Sequence, residues 1–455
     1  MRYDLLLKNG IAVTPEKSFK ADIAVKDGKI ALIGNLEPND TAEETYDAEG
    51  KHILPGIIDA HVHFRDPGLT EKEDFETGSI AAAFGGVTFV ADMPNVLPPT
   101  STAQRFLEKV QIAKEKSYVD FGLFALLVND NINEMEGFKK AGALGYKVFL
   151  GTSTGDIASP LLGNLIEQMT KSAALGLRMG FHAENSEINS HFTSKLKNSS
   201  GVKEGILLSK ARPVISEVLA IQTVISLAEY TNANVHIHHV TSKDGCLLIA
   251  DAKQKGVKIT AETCPHYLLL DANMDKSQQA AAQQAAAHRV YPPIREEIHR
   301  KSLWDALNNR TIDMVASDHA PHLAREKSLP VWEAPAGLSG VETMVPLILN
   351  EVNKGRLSIN DFVRLLSEAP AKIWGIYPQK GCLQTGADAD FTLVDMNKKQ
   401  VITAAESHSK SKTSAYDGME TKGAPVAVII RGKFVVKDGC LTGTKGFGKL
   451  VSPAL

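Results

Sequence analysis

Cysteine is scarce in this chain. The four present, Cys246, Cys264, Cys382 and Cys440, lie far apart in 455 residues and form no CxxC pair. That pattern suggests neither a disulfide framework nor a zinc ribbon, and the cysteines are expected to be small buried hydrophobes. An excess of charge of one sign is also missing: 50 basic residues stand against 53 acidic ones, giving a net charge of -3 and a pI near 6.5. Such a balance leaves no electrostatic footprint for nucleic acid or an anionic membrane. No run of about 18 apolar residues occurs, and the opening MRYDLLLKNG lacks a basic segment followed by an apolar one. The expectation is a soluble cytoplasmic protein.

Apolar residues, by contrast, make up 43% of the chain, ample for a large core, and the length predicts more than one domain. The two ends differ from the middle. Residues 1–52 carry short alternating strands broken by turn signals (YDLLLKNG, ADIAVKDGKIALIG), and residues from about 379 onward do the same (ADFTLVDM, VAVIIRGKFVVKDG). Each end is too small to bury a sheet face well alone. Residues 1–52 and 379–455 are therefore expected to join as one composite β-sandwich domain, which requires the ends of segment 53–378 to lie close together.

A closed barrel has such ends. Between residues 53 and 378 eight apolar or alternating runs occur: GIIDAHVHF, GVTFVADM, DFGLFALLV, GYKVFL, RMGFHAE, NVHIHHVT, VKITAETC and IDMVASDH. Most are separated by segments of helical period, such as Ala103 to Lys116 and Ile215 to Thr231. The expected fold is α/β, a TIM (β/α)8 barrel with a small β-rich domain formed from both termini, and the active site of such a barrel lies at the C-terminal ends of its strands.

Polar residues fall at those ends. His61 and His63 close the first run, where residues two apart on a strand share a face and two imidazoles can reach one ion. Asn95 follows the second run, Lys147 sits in the fourth, His182 ends the fifth, His239 the sixth and Asp318 the eighth. Four histidines, an aspartate and a lysine at one barrel mouth describe a site for two metal ions roughly 3.5–4 Å apart, and metal-assisted hydrolysis is the implied chemistry. In IHHVT a regular strand would point His238 and His239 to opposite faces, so only one should face the interior, and His236 shares a face with His238.

The segments PGIIDAHVHFRDPG, EDFETGSIAAAFGGVTFVADMPN, GYKVFLG, FHAEN, IHHVTSKDG, ETCPHYL and ASDHAPH, with APAGLSGVETMVPL after them, resemble a dihydroorotase of the amidohydrolase superfamily, in its cyclic amidase group. The resemblance runs from Met1 to about Lys437. It implies that His61 and His63 bind the more buried metal, His182 and His239 the more exposed one, and that Asp318 completes the buried site and acts as general acid/base. Lys147 matches the position where relatives hold a carbamylated lysine bridging two Zn²⁺ ions per chain. A neutral amine can add CO₂ to become such an anionic ligand.

The resemblance further implies that Arg65, Asn95 and His322 hold a ring carboxylate, a task for which a planar guanidinium is suited. Taken alone, Arg65 could instead pair with Asp66 at the surface, and Lys147 could be a structural lysine paired with an acid. The implied reaction is the reversible cyclisation of N-carbamoyl-L-aspartate to L-dihydroorotate, a step of pyrimidine biosynthesis, by a homodimer. Two alternatives stand beside it: an allantoinase or dihydropyrimidinase-like cyclic amidase with the same metal ligands, and an inactive scaffold relative. Against the first, RDPG resembles dihydroorotase; against the second, all six ligands are retained.

Some features depart from the resemblance or lie outside it. Tyr291 in VYPPIR stands where many relatives have Asn or Ser near the ring's amide edge. The run SQQAAAQQAAAHR reads as helix or loop, and the Pro- and Gly-rich stretch from Pro321 to Thr343 is long enough for a flap. His319 is expected to orient its loop, His266 to be no metal ligand and not to touch substrate, and His52, His191, His288, His299 and His408 to be ordinary.

Overall fold

The computed structural model describes residues 1–151, 157–197, 204–273 and 287–454. Most of the Ala/Gln-rich run, residues 277–286, lies outside the described residues.

Strands from both chain ends build one nine-stranded sheet. Its members are β1 (Arg2–Val13), β2 (Ser18–Lys26), β3 (Lys29–Gly34), β4 (Thr41–Asp47) and β5 (His52–Pro55) from the first end, with β14 (Phe391–Val401), β15 (Glu420–Ile430), β16 (Lys433–Lys437) and β17 (Cys440–Leu441) from the other. The halves meet where β5 runs antiparallel to β14, with Ile53 opposite Leu393 and Pro55 opposite Phe391. Alternation in the sequence becomes a buried face here: Leu5, Leu7, Ile23, Val25, Ile53, Phe391, Leu393 and Ile429 form one cluster.

The eight expected runs are eight parallel strands in sequence order: β6 (Ile57–Val62), β7 (Val87–Asp92), β8 (Asp120–Leu126), β9 (Gly145–Phe149), β10 (Met179–His182), β11 (Val235–Ile237), β12 (Ile259–Thr263) and β13 (Met314–Val315). They are buried nearly throughout, as parallel strands covered by helices must be. The last strand comes back to the first at the mouth, where Val62 bridges His319 and the His63 N–H donates to the His319 carbonyl at 2.7 Å. Below it, the Asp59 carboxylate accepts the Ser317 N–H at 3.0 Å.

Helices begin where the sequence supplies caps. Asp74 accepts from the Thr77 N–H to start helix Phe75–Phe84, Thr102 from Arg105 to start Ala103–Lys116, and Ser242 from Gly245 to start Lys243–Gln254. Helix Val214–Thr231, with mean hydropathy 1.2, has the length and composition of a membrane span. It is also a barrel helix: Glu217 within it is buried and accepts the Thr241 N–H at 2.9 Å.

A buried charge cluster joins sheet and barrel. Lys380 donates to Asp120, at the start of β8, at 2.5 Å and to Asp390 at 2.6 Å, while Arg431 of the terminal sheet also pairs with Asp120. The cysteines divide: Cys246 and Cys264 are buried as expected, but Cys382 is half-buried and Cys440 exposed, because its short strand lies at the edge of the terminal sheet.

Candidate active site at the barrel mouth

One cleft is lined by His61, His63, Arg65, Asn95, Lys147, His182, His239 and Asp318, together with Phe149, Val290, Tyr291, Ala320, Ala336 and Gly337. Residues from β6 to the segment after β13 thus converge although as many as 276 positions separate them, because each lies in or after the C-terminal half of a parallel strand.

His61, His63 and Asp318 form one group. Their ligand atoms lie within 4.8 Å of one another, and Asp318 Oδ1 is 3.1 Å from His63 Nε2 and 3.3 Å from His61 Nε2. His182 and His239 form a second, with His182 Nδ1 3.0 Å from His239 Nε2.

What stands behind these rings decides which nitrogen faces the cleft. Glu262 Oε1 accepts from His61 Nδ1 at 2.5 Å, Asn95 Oδ1 accepts from His63 Nδ1 at 2.8 Å, and Glu184 Oε2 accepts from His182 Nε2 at 2.9 Å. Each acceptor fixes the tautomer, so the nitrogen on the inner side carries a lone pair. Burial lowers the pKa of His61, His63, His182 and His239, which favours the neutral, ligating form. Lone pairs and a carboxylate crowded together suit a divalent cation, and this donor set of imidazole and carboxylate is the kind that binds zinc and similar metals.

Lys147 sits among them. Its charge acts on all four of these histidines, and its ammonium nitrogen lies 5.1 Å from the Phe149 ring centre. Burial pulls its pKa down to about 7, against the opposing pull of Glu262 and Asp318. Burial also pushes Asp318 upward, but the hydrogen bond and charge of His63 in its protonated form outweigh it and keep the carboxyl below its ordinary range.

Strand geometry alone did not settle the IHHVT segment. His236 and His238 do share a face, and both bond Glu262, at 3.0 and 2.9 Å. His239 breaks the alternation with φ 38°, so His238 and His239 both turn inward, their rings 4.6 and 5.4 Å from that of His61. Arg65 (φ 60°) and Asp318 (φ 46°) adopt the same left-handed backbone. Three strained non-glycine residues in one mouth are typical of a functional site.

Arg65 is not a surface residue: it is 1% exposed, and Asp66 pairs with Lys116 at 2.7 Å instead. Its Nε donates to the Pro321 carbonyl, while Nη1 has no hydrogen-bond partner among the described residues. His322 stands beside it, 3.3 Å from Nη2, with its own Nδ1 near Lys72 and its Nε2 donating to the Ala336 carbonyl at 3.0 Å. His319 accepts the Gly340 N–H at 3.1 Å and so orients the loop, as expected.

The Pro321–Thr343 stretch lies against the mouth. The buried Lys327 ammonium donates to the carbonyls of Arg289, Pro335 and Gly337, each at 3.1 Å, tying this stretch to the segment after β12. Glu262 and Glu184 were missed in the sequence. The signal was there in each case: an acid inside the short strand VKITAETC, and one two residues after His182 in FHAEN.

The amidohydrolase family model matches residues 52–435. The L-hydantoinase of Paenarthrobacter aurescens is 36% identical over 456 residues, covering 99% of this chain and 98% of that protein. The dihydroorotase of Methanothermobacter thermautotrophicus is 35% identical over 442 residues (96% and 95%), and the allantoinase of Deinococcus radiodurans 35% identical over 464 residues (100% and 99%). The solved structure of L-hydantoinase (dihydropyrimidinase) from Arthrobacter aurescens superposes with a TM-score of 0.94 at 36% identity, covering 99% of this chain and all of that one.

Proposed function

The chain belongs to the amidohydrolase family and is a cyclic amide hydrolase, and on that premise we propose that its barrel mouth opens the ring of a cyclic ureide of the hydantoin or allantoin class. The carrying observation is the convergence of His61, His63 and Asp318 on one side, and His182 and His239 on the other, around the buried Lys147 in a single cleft. Full-length similarity to a hydantoinase and to allantoinases supports that ring class ahead of dihydroorotate.

Two divalent ions, zinc in this reading, would be held by His61, His63 and Asp318 and by His182 and His239, with Lys147 as a carbamate between them. Bound there, they would supply an acidified water and a Lewis acid for the ring carbonyl. The carbamate forms when the neutral Lys147 amine attacks CO₂ and a proton leaves. Asp318, facing the cleft, takes the proton from the attacking water and passes it to the departing ring nitrogen. Glu262, Asn95 and Glu184 keep three imidazoles in the ligating tautomer throughout.

A second reading, dihydroorotate, is favoured by Arg65. A buried guanidinium in the cleft wall with an unpartnered Nη1 suits a carboxylate on the substrate. Turnover of hydantoin, allantoin, dihydrouracil and dihydroorotate by the zinc-loaded protein tests both. Opening of hydantoin or allantoin with no action on dihydroorotate supports the first; the converse supports the second; no ring opening at all refutes both. The homodimer implied by the sequence resemblance is checked by light scattering on the same preparation.

A further inference from the structure

Tyr291, the residue that departs from the resemblance, lines the cleft beside Val290. Two guanidiniums hold it. The Arg212 guanidinium carbon is 3.6 Å from the phenol ring centre, a distance reached only over the ring face. Arg289 Nη2 donates to the Tyr291 hydroxyl at 2.5 Å, and its Nη1 donates to the Val331 carbonyl in the Pro321–Thr343 stretch.

Neither clamp is free to move. Arg212 is buried and donates from Nε to Glu184 at 2.9 Å, and Glu184 in turn holds His182. The Arg289 backbone is fixed from the other side, its carbonyl accepting from Gly337 at 2.9 Å and from Lys327 at 3.1 Å. A tyrosine held at its face and at its hydroxyl cannot swing out of the way of a ligand, as an unclamped side chain would.

We propose that Tyr291 is a specificity-determining residue: its clamped ring is a fixed wall of the cleft that limits the size of the substituent a cyclic ureide can carry. The inference rests on the ring-opening reading above and sharpens it toward rings with small substituents.

The test uses the full-length, metal-loaded protein and its Tyr291→Ala and Tyr291→Phe variants, with metal content measured for each. kcat/KM is read on hydantoin and on hydantoins bearing methyl, isopropyl or benzyl at ring carbon 5. Forcing a bulky group against a fixed wall costs enough to change rates by about tenfold or more. Tyr291→Ala should therefore raise the benzyl-to-unsubstituted ratio by about that factor. Tyr291→Phe should keep the wild-type ratio, because Arg212 still covers the ring. An unchanged ratio in Tyr291→Ala, or an equal shift in Tyr291→Phe, overturns the proposal. If the wild-type protein opens none of these rings, and not allantoin either, the ring-opening reading fails; in the absence of hydantoin turnover the wall is still tested by calorimetric Kd values for the matching open-chain N-carbamoyl amino acids. There the wild type must disfavour the bulky members and Tyr291→Ala must relax that preference; the same ranking in both, or no binding by either, overturns it.

Discussion

Glu262 offers the sharpest test of the site's construction. Its buried carboxylate accepts from His61 at 2.5 Å, His238 at 2.9 Å and His236 at 3.0 Å. In Glu262→Ala all three donors lose their partner, and each buried orphan costs about 1–3 kcal/mol. Together they approach the about 5–15 kcal/mol that hold a typical domain folded. The alanine variant should therefore be insoluble or unfold at much lower urea.

Glu262→Gln should behave differently. An amide oxygen in the Oε1 position still accepts from His61 and His238. His236 can exchange tautomer, taking the amide N–H at Nε2 and giving its own Nδ1–H to the Thr260 hydroxyl 2.8 Å away. The fold survives, but an amide oxygen, a weaker acceptor than a carboxyl oxygen shared by two imidazoles, now stands behind His61. Losing such an outer partner weakens metal binding by about 10–100-fold. Urea unfolding and competition with a chelator of known affinity read the two effects separately. An alanine variant within about 1 kcal/mol of wild type, or a glutamine variant with unchanged metal affinity, would refute the reasoning.

Lys147→Ala should lose activity and at least one metal ion per chain, with acetate or propionate restoring part of the turnover; full metal content and activity in the variant would refute the carbamate. Arg65→Ala should lower kcat/KM on dihydroorotate by about 10²-fold or more while metal content holds, and Arg65→Lys should already weaken it; near-normal kinetics would place a ring carboxylate elsewhere. Lys327→Met leaves three carbonyls short of a donor, so amide exchange across residues 331–339 should quicken and KM rise; exchange as slow as in wild type would show that the clasp is dispensable. At the domain junction, burial pushes the Asp388 carboxyl up, but Lys380 and Lys29 pull it below its ordinary range. Below about pH 4 the unfolded chain then binds a proton that the native state does not, so this contribution is present above that pH and is lost as pH falls. Asp388→Asn should flatten the acid limb of urea stability against pH, and an identical limb in the variant would count against the assignment.

Much of this molecule is legible locally. Period-two alternation marked the terminal strands, and eight apolar runs marked the barrel, with the helix at Ala103–Lys116 found at its exact limits. Because parallel strands deliver their C-terminal ends to one face, the residues His61, His63, Lys147, His182 and Asp318 could be placed together from spacing and strand position before any contact was known, while the choice of His239 over His238 rested on the resemblance. Tyr291 was visible too, as a departure from the resemblance.

Tertiary structure decided the rest, for one physical reason: a hydrogen-bond partner is chosen by proximity in space, and nothing in a local pattern encodes it. Glu262 is 201 residues from the His61 it orients. Asn95, expected at the substrate, also proves to hold His63, and Arg212 reaches both Glu184 and the face of Tyr291. The backbone added what alternation could not foresee, since positive φ at His239 lets it and His238 both turn inward where a regular strand would have parted them. Sequence periodicity determined which strand ends carry the chemistry; only the packed barrel determined which nitrogen of each imidazole faces the cleft.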